Sequence, residues 1–190
     1  MNIAERKIAG LPIGSFILIC LIAPVLVGSY GIAHPVVDSI FTEAYGAEAF
    51  PWAWLATAPM VTVTVLIYNR ISAHVSTLAL LQIAAIASGA LLVSIIAALW
   101  MSFSWAPFLL YLWKDIYIVV LIETFWVFAN STFPVANAKW LYGFFCAVGS
   151  LGTIAGSALL AFTTPLIGNI GDLILLLPLF LIVAMTAGLL

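Results

Sequence analysis

The sequence predicts an all-α, polytopic membrane protein with six transmembrane helices. Three observations predict it. Of its 190 residues, 66% are hydrophobic and only 6% charged, whereas soluble domains sit near half apolar and about a quarter charged. The mean hydropathy is +1.29. Six apolar segments follow one another, each near the ~20 residues that a bilayer core requires, without the strict alternation of a barrel strand. Inside a bilayer no water serves the backbone, and a helix satisfies its own polar groups.

The spans are expected near 11–33, 51–69, 76–100, 108–131, 140–163 and 172–190, as one transmembrane domain over 1–190. The first begins "MNIAERKIAGLPIGSFILICLIAPVLVGSY", with Arg6 and Lys7 ahead of the apolar stretch. Its length suits an uncleaved membrane helix better than the short core of a signal peptide. Pro12, Pro51 and Pro107 fall at helix starts, where a missing N–H costs nothing. Pro24, Pro59 and Pro178 fall inside spans and are expected to kink them, with Pro24 and Pro59 as flexing points. "HPVVDSIFTEAYGAEAF", from His34 to Phe50, is the one long connection expected. The other links are short, so neighbouring helices should pack antiparallel. The last span ends at Leu190 without a polar tail, which suits either a minimal six-helix protein or half of a twelve-helix one.

Basic residues set the expected orientation. Arg6 and Lys7 precede the first span, Arg70 follows the second, and Lys139 lies between the fourth and fifth. All fall on one side if both termini are cytoplasmic, as the positive-inside rule requires in a cell (inner) membrane. Asp38, Glu43, Glu48 and Asp172 would then lie in the outer loops. Trp52, Trp54, Trp100 and Trp105 would form the outer aromatic belt, and Trp140 and Tyr142 the inner one.

Enzymatic chemistry finds little support. His34 and His74 are expected on opposite faces of the membrane and could not share a metal. No serine–histidine pairing and no phosphate-binding G-x-x-x-x-G-K loop is evident. The expectation is a protein that is not an enzyme and has no cofactor and no metal. Five basic residues make no footprint for nucleic acid. Cys20 and Cys146 sit in apolar runs at comparable depth and read as small hydrophobes.

In "GSLGTIAGSALLAF", Gly152 and Gly156 have G-x-x-x-G spacing, and Gly149, Thr153 and Ser157 form a second small stripe. Such spacing lets two helices approach closely. Packing against a helix of the same chain is expected, with dimerisation the alternative.

The fourth span, "KDIYIVVLIETFWVFANSTF", carries the sharpest signal. At about 100° per residue, with Asp115 as origin, Trp126 lies near ~20°, Asn130 near ~60° and Glu123 near ~80°, one polar and aromatic stripe. Lys114 lies about half a turn away. Lys114 and Asp115 are explained by a nearby outer interface, where long side chains snorkel. Glu123 remains near mid-membrane, where a carboxylate costs at least ~2.5–3.5 kcal/mol unless protonated, paired or facing water. Intramembrane acids of this kind mark pathways by default. The alternative is a neutral acid bonded to a neighbouring helix.

Across "FWVFANSTFPVANAKWLYGFFCAVGSLGTIAGS" the chain resembles the nucleotide (ATP/ADP) translocase family, related to the major facilitator superfamily. The matching features are Phe125-Trp126, Phe128-Ala129-Asn130, Ala138-Lys139, Tyr142-Gly143 and the small residues from Gly149 to Ser157. The resemblance implies a major-facilitator-like half bundle, the N-terminal half of a twelve-helix transporter. It implies nucleotide exchange as one activity, although a triphosphate needs several cations and only Lys114 is arguably intramembrane here.

Taken together, the expectation is a secondary transporter of a small polar or anionic solute, working by alternating access. Its partners would be membrane lipid, a small-molecule substrate, and a C-terminal six-helix half or a second copy. Glu123, Trp126 and Asn130 would line the pathway, with Asp115 and Lys114 at its outer mouth. Lys139 and Tyr142 would organise the cytoplasmic link, and Gly149, Gly152 and Gly156 the helix packing. The competing expectation is a structural or assembly membrane protein without transport activity.

Overall fold

The computed structural model describes residues 7–8, 11–133 and 135–190, with side-chain surroundings for 15–133 and 139–190. Arg6, and the side-chain surroundings of Lys7 and Ala138, lie outside these. After a two-residue ladder pairing Lys7–Ile8 with Leu11–Pro12, the described chain is almost wholly helical. It forms α1 (Ile13–Tyr45), α2 (Phe50–Ser72), α3 (Thr77–Trp100), α4 (Ala106–Thr132), α5 (Val135–Ile174) and α6 (Leu176–Leu189). Pro51 and Pro107 occupy the first turns of α2 and α4, where no intrahelical bond is lost. The Ser76 hydroxyl caps α3 by accepting from the Ala79 amide at 3.2 Å.

Two boundaries differ from expectation. The segment 34–45 is not a connection but the last three turns of α1, which is 33 residues long. Val36, Val37 and Phe41 are buried there, so packing holds the helix together past Pro35. Pro35 lacks the N–H that would bond the Gly31 carbonyl, and the Ser157 hydroxyl donates to that carbonyl instead, at 3.2 Å. The turn into α2 comes only at Gly46, at φ 80°. At the other end, α5 runs on past residue 163 and breaks at Gly168, at φ 71° and ψ 173°. Residues 169–174 then lead into α6, itself 14 residues long.

Among the described residues, four helices are long and apolar enough to cross a membrane: Ser15–Tyr45, Ala47–Ser72, Thr77–Trp100 and Lys139–Ile174. Helix α4 has 27 residues but carries Lys114, Asp115 and Glu123, and α6 is apolar but shorter.

Contacts fix the relative directions. Helices α1 and α4 are antiparallel, since Lys114 meets Asp38 while Phe133 meets Phe16. Helix α2 runs parallel to α4, with Trp54 on Tyr111 and Tyr68 on Thr124. Helix α3 opposes α6, Gly89 lying against Phe180 and Gln82 donating to the Ala184 carbonyl at 3.0 Å. Helices α1 and α5 are parallel, from Phe16 beside Trp140 and Phe144 to Ser39 beside Asn169.

The core lies where α4 meets α1, α3 and α6. Trp113 stacks on Tyr117 at 4.4 Å between ring centres, and both meet the Phe180 ring edge-on. By contrast α2 buries only Ala53, and presents Leu55, Val63, Leu66 and Ile67 outward. Apolar surface of that extent suits lipid or a second bundle better than water.

Candidate functional site

Helix α4 begins at Ala106, so Lys114 and Asp115 lie well inside it. Lys114 is eight residues from that start, about 12 Å along the axis. Its side chain is 2% exposed, which rules out snorkelling to an interface as the account of Lys114. The ammonium lies 2.7 Å from Asp38 Oδ1 on α1 and 3.5 Å from Asp115 Oδ1. It also sits 4.0 Å above the centre of the Tyr111 ring, whose negative face favours a cation. Asp38, expected in an outer loop, is thus a member of an interhelical ion pair.

His34 completes the cluster. It stands one turn before Asp38 on α1, with Nδ1 3.3 Å from Asp38 Oδ2, and packs edge-on against Tyr30 at 5.2 Å. Asp38 therefore uses one oxygen for Lys114 and the other for His34. Trp54 of α2 reaches the same region, donating to the Tyr111 hydroxyl at 2.9 Å. Buried charge is tolerated when paired and hydrogen-bonded, and both conditions hold for Lys114.

Asp38 and His34 were not among the sequence candidates, because segment 34–50 read as a loop. Two signals pointed to them. Their i, i+4 spacing places them on one helix face, and Lys114, half a turn from Glu123 on its own helix, had only the adjacent Asp115 there as a counter-charge, which left a second one to come from another helix.

The expected stripe on α4 divides in two. Glu123 is exposed and lines a groove between α2 and α4 with Val65, Tyr68, Asn69, Val119, Val120 and Val127. Among the described residues it has no ion-pair partner. Trp126 turns the other way, toward α5. Its ring meets Tyr142 edge-on at 5.3 Å and borders a second groove walled by Leu26, Phe145 and Cys146. Asn130 is exposed, and its amide oxygen accepts the Tyr142 hydroxyl across the α4–α5 link. Lys139 is exposed beside that link. Trp126, Asn130 and Tyr142 thus form one contact set, Lys114, Asp115, Asp38 and His34 another, and Glu123 stands apart from both.

The glycines of α5 pack within the chain, against α1. A Cβ on Gly156 would fall 2.5 Å from the Gly28 carbonyl oxygen, and one on Gly152 would overlap the Pro24 carbonyl. Gly149 faces Val27. Ser157 bonds the Gly31 carbonyl, so the small stripe brings polar contact as well as close approach.

Asp172 is also not a loop residue. It is fully buried after the Gly168 break, and its two oxygens accept the hydroxyls of Thr163 at 2.6 Å and Thr164 at 2.5 Å. It ties residues 169–174 back onto the body of α5. No family model, curated protein or solved structure matches the chain.

Proposed function

We propose that this chain is the six-helix half of a secondary transporter working by alternating access on a small polar solute. The observation that carries the proposal is Glu123. It is nine residues from the end of α4, exposed at a groove whose other walls are mostly valine, and without an ion-pair partner among the described residues. A carboxylate left open at that depth suits a water-accessible path better than a lipid-facing or packed surface. The alternating directions of the helices support six crossings, with α6 extended by 169–174. The resemblance around Phe125–Asn130 and Gly149–Ser157 supports the same class.

Within this half Lys114 is neutralised by Asp38 and Asp115. A nucleotide's phosphates would need cations from elsewhere, from a C-terminal half or a second copy, so a small polar solute fits this half better. The second reading, a structural or assembly protein, draws on the internal pairing. Among the described residues no buried side-chain nitrogen or oxygen lacks a partner.

Uptake by purified protein in liposomes tests the two. Nucleotides, organic ions and drugs would be offered with and without a proton gradient. Transport predicts uptake by wild type and a loss of at least tenfold in Glu123→Gln. Wild-type uptake by that variant would remove Glu123 from the pathway. Absence of uptake of every compound by the complete coding region would favour the structural reading.

A further inference from the structure

The ionisable groups between α1 and α4 do not sum to zero. Lys114 supplies one positive charge, Asp38 and Asp115 supply two negative ones, and His34 adds a positive charge only when protonated. A net charge held at this depth is expensive in lipid, and one added proton brings the cluster to neutrality. We propose that His34, Asp38, Lys114 and Asp115 form a binding site for one exchangeable proton, carried on the His34 imidazole and held there by Asp38.

The geometry gives each residue a part. The His34 side chain is 48% exposed and so open to exchange, whereas Lys114 at 2% is sealed inside. Asp38 joins them, through Oδ2 to His34 and Oδ1 to Lys114. Proton uptake converts neutral imidazole to imidazolium, which pairs with the Asp38 carboxylate, and no other bond changes. Release leaves one uncompensated carboxylate, and Asp38 then keeps its ion pair with Lys114 alone. Because Asp38 is on α1 and Lys114 on α4, the proton alters the balance of an interhelical contact.

Among the described residues, no further ion pair reaches the cluster. From α1 the cluster is faced by Tyr30, and from α4 by Tyr111. Helix α2 reaches it through the Trp54 indole on Tyr111. Helix α5 touches this end of α1 through Asn169, which donates to Ser39 at 3.1 Å. Its Asp172 is held by Thr163 and Thr164 and makes no ion pair with the cluster. A role for this proton as the coupling ion rests on the transport proposal above; the site itself does not.

The test is a pH titration of ¹⁵N-histidine-labelled full chain in lipid nanodiscs, followed by NMR. His74, exposed and far from the cluster, is the internal reference, and His34→Gln and His74→Gln assign the two signals. Asp38→Asn should weaken proton binding at His34 about tenfold, the effect of losing one close opposite charge. Asp115→Asn should weaken it less, because Lys114 then turns wholly to Asp38. His74 should not move in either. If Asp38→Asn fails to fold, Asp115→Asn decides alone. A His34 titration indifferent to the folded variants would overturn the site. Proton entry into vesicles of phosphatidylethanolamine and phosphatidylglycerol, read with entrapped pyranine, then tests coupling separately. The expected titration change in the aspartate variants, with unchanged entry in His34→Gln, would keep the site and overturn its coupling role.

Discussion

Lys114 Nζ lies 2.7 Å from Asp38 Oδ1, tying the first third of α4 to the C-terminal half of α1 inside an apolar bundle. The pair explains how a lysine is carried in a buried position. Removing either partner leaves the other charge without its main compensation, a loss of roughly 3–5 kcal/mol for a fully buried pair. Asp38 is partly exposed, so the lower end is expected. Lys114→Met and Asp38→Asn should each lower thermal stability in detergent clearly. The double variant should be less destabilised than the sum, with a coupling of about 1–3 kcal/mol. Strict additivity would show that the pair adds nothing to the fold.

The α1–α5 seam gives a contrast between glycines. Gly156 has no room for a Cβ against the Gly28 carbonyl, whereas a Cβ on Gly143 meets nothing within 4 Å. Backbone cannot yield as a side-chain tip can, so Gly156→Ala should destabilise by about 1–3 kcal/mol. Gly143→Ala should be neutral or stabilise by up to about 1 kcal/mol, because alanine is the better helix former. Unfolding of both variants, followed by circular dichroism, checks the sign of each. Equal effects would place α5 against something other than α1.

How much of this was legible in the sequence depended on the range of the interaction. Helical class and the small stripe of α5 follow from local composition and period, and these could be read directly. The extent of α1 could not. "HPVVDSIFTEAY" carries a proline and three acidic or imidazole groups that locally resemble a loop, and only tertiary packing of Val36, Val37 and Phe41 makes it helix. That misreading hid Asp38, and without Asp38 the burial of Lys114 had no explanation but an interface. Asp172 was hidden for a similar reason, since its threonine partners depend on a break at Gly168 that the spacing does not mark. Helical angle correctly set Glu123 apart from Lys114. It could not tell that Trp126, some 60° away, would turn to α5 while Glu123 faced α2.

The cysteines offer a check on register without any substitution. Thr153 meets the Val27 carbonyl and Ser157 the Gly31 carbonyl, both at a separation of 126 residues. Cys20 and Cys146 share that separation and lie nearer the helix starts, with Cys146 exposed. A short bifunctional thiol reagent should therefore join them within one chain, adding a single linker mass to a monomer. Linked dimers in place of monomers would mean that the α5 stripe pairs two copies.

Whether water reaches Glu123 decides between a pathway and a packed surface, and neighbouring positions on α4 allow a sharp comparison. Glu123 is exposed at the α2–α4 groove, while Thr124 is fully buried, with its hydroxyl 3.3 Å from the Tyr68 hydroxyl. Asn130 is exposed on the α5 side. In a background lacking Cys20 and Cys146, a polar thiol reagent attacks only a thiolate, which forms where water is present. Glu123→Cys and Asn130→Cys should react rapidly in proteoliposomes, and Thr124→Cys should be at least tenfold slower. If lipid filled the groove, the native carboxylate would bear a cost of ~2.5–3.5 kcal/mol or more with no partner to offset it, and Glu123→Cys would be as inert as Thr124→Cys. That outcome would leave Asn130 reactive and Glu123 sealed, separating the two grooves and removing the central support for a path beside α2.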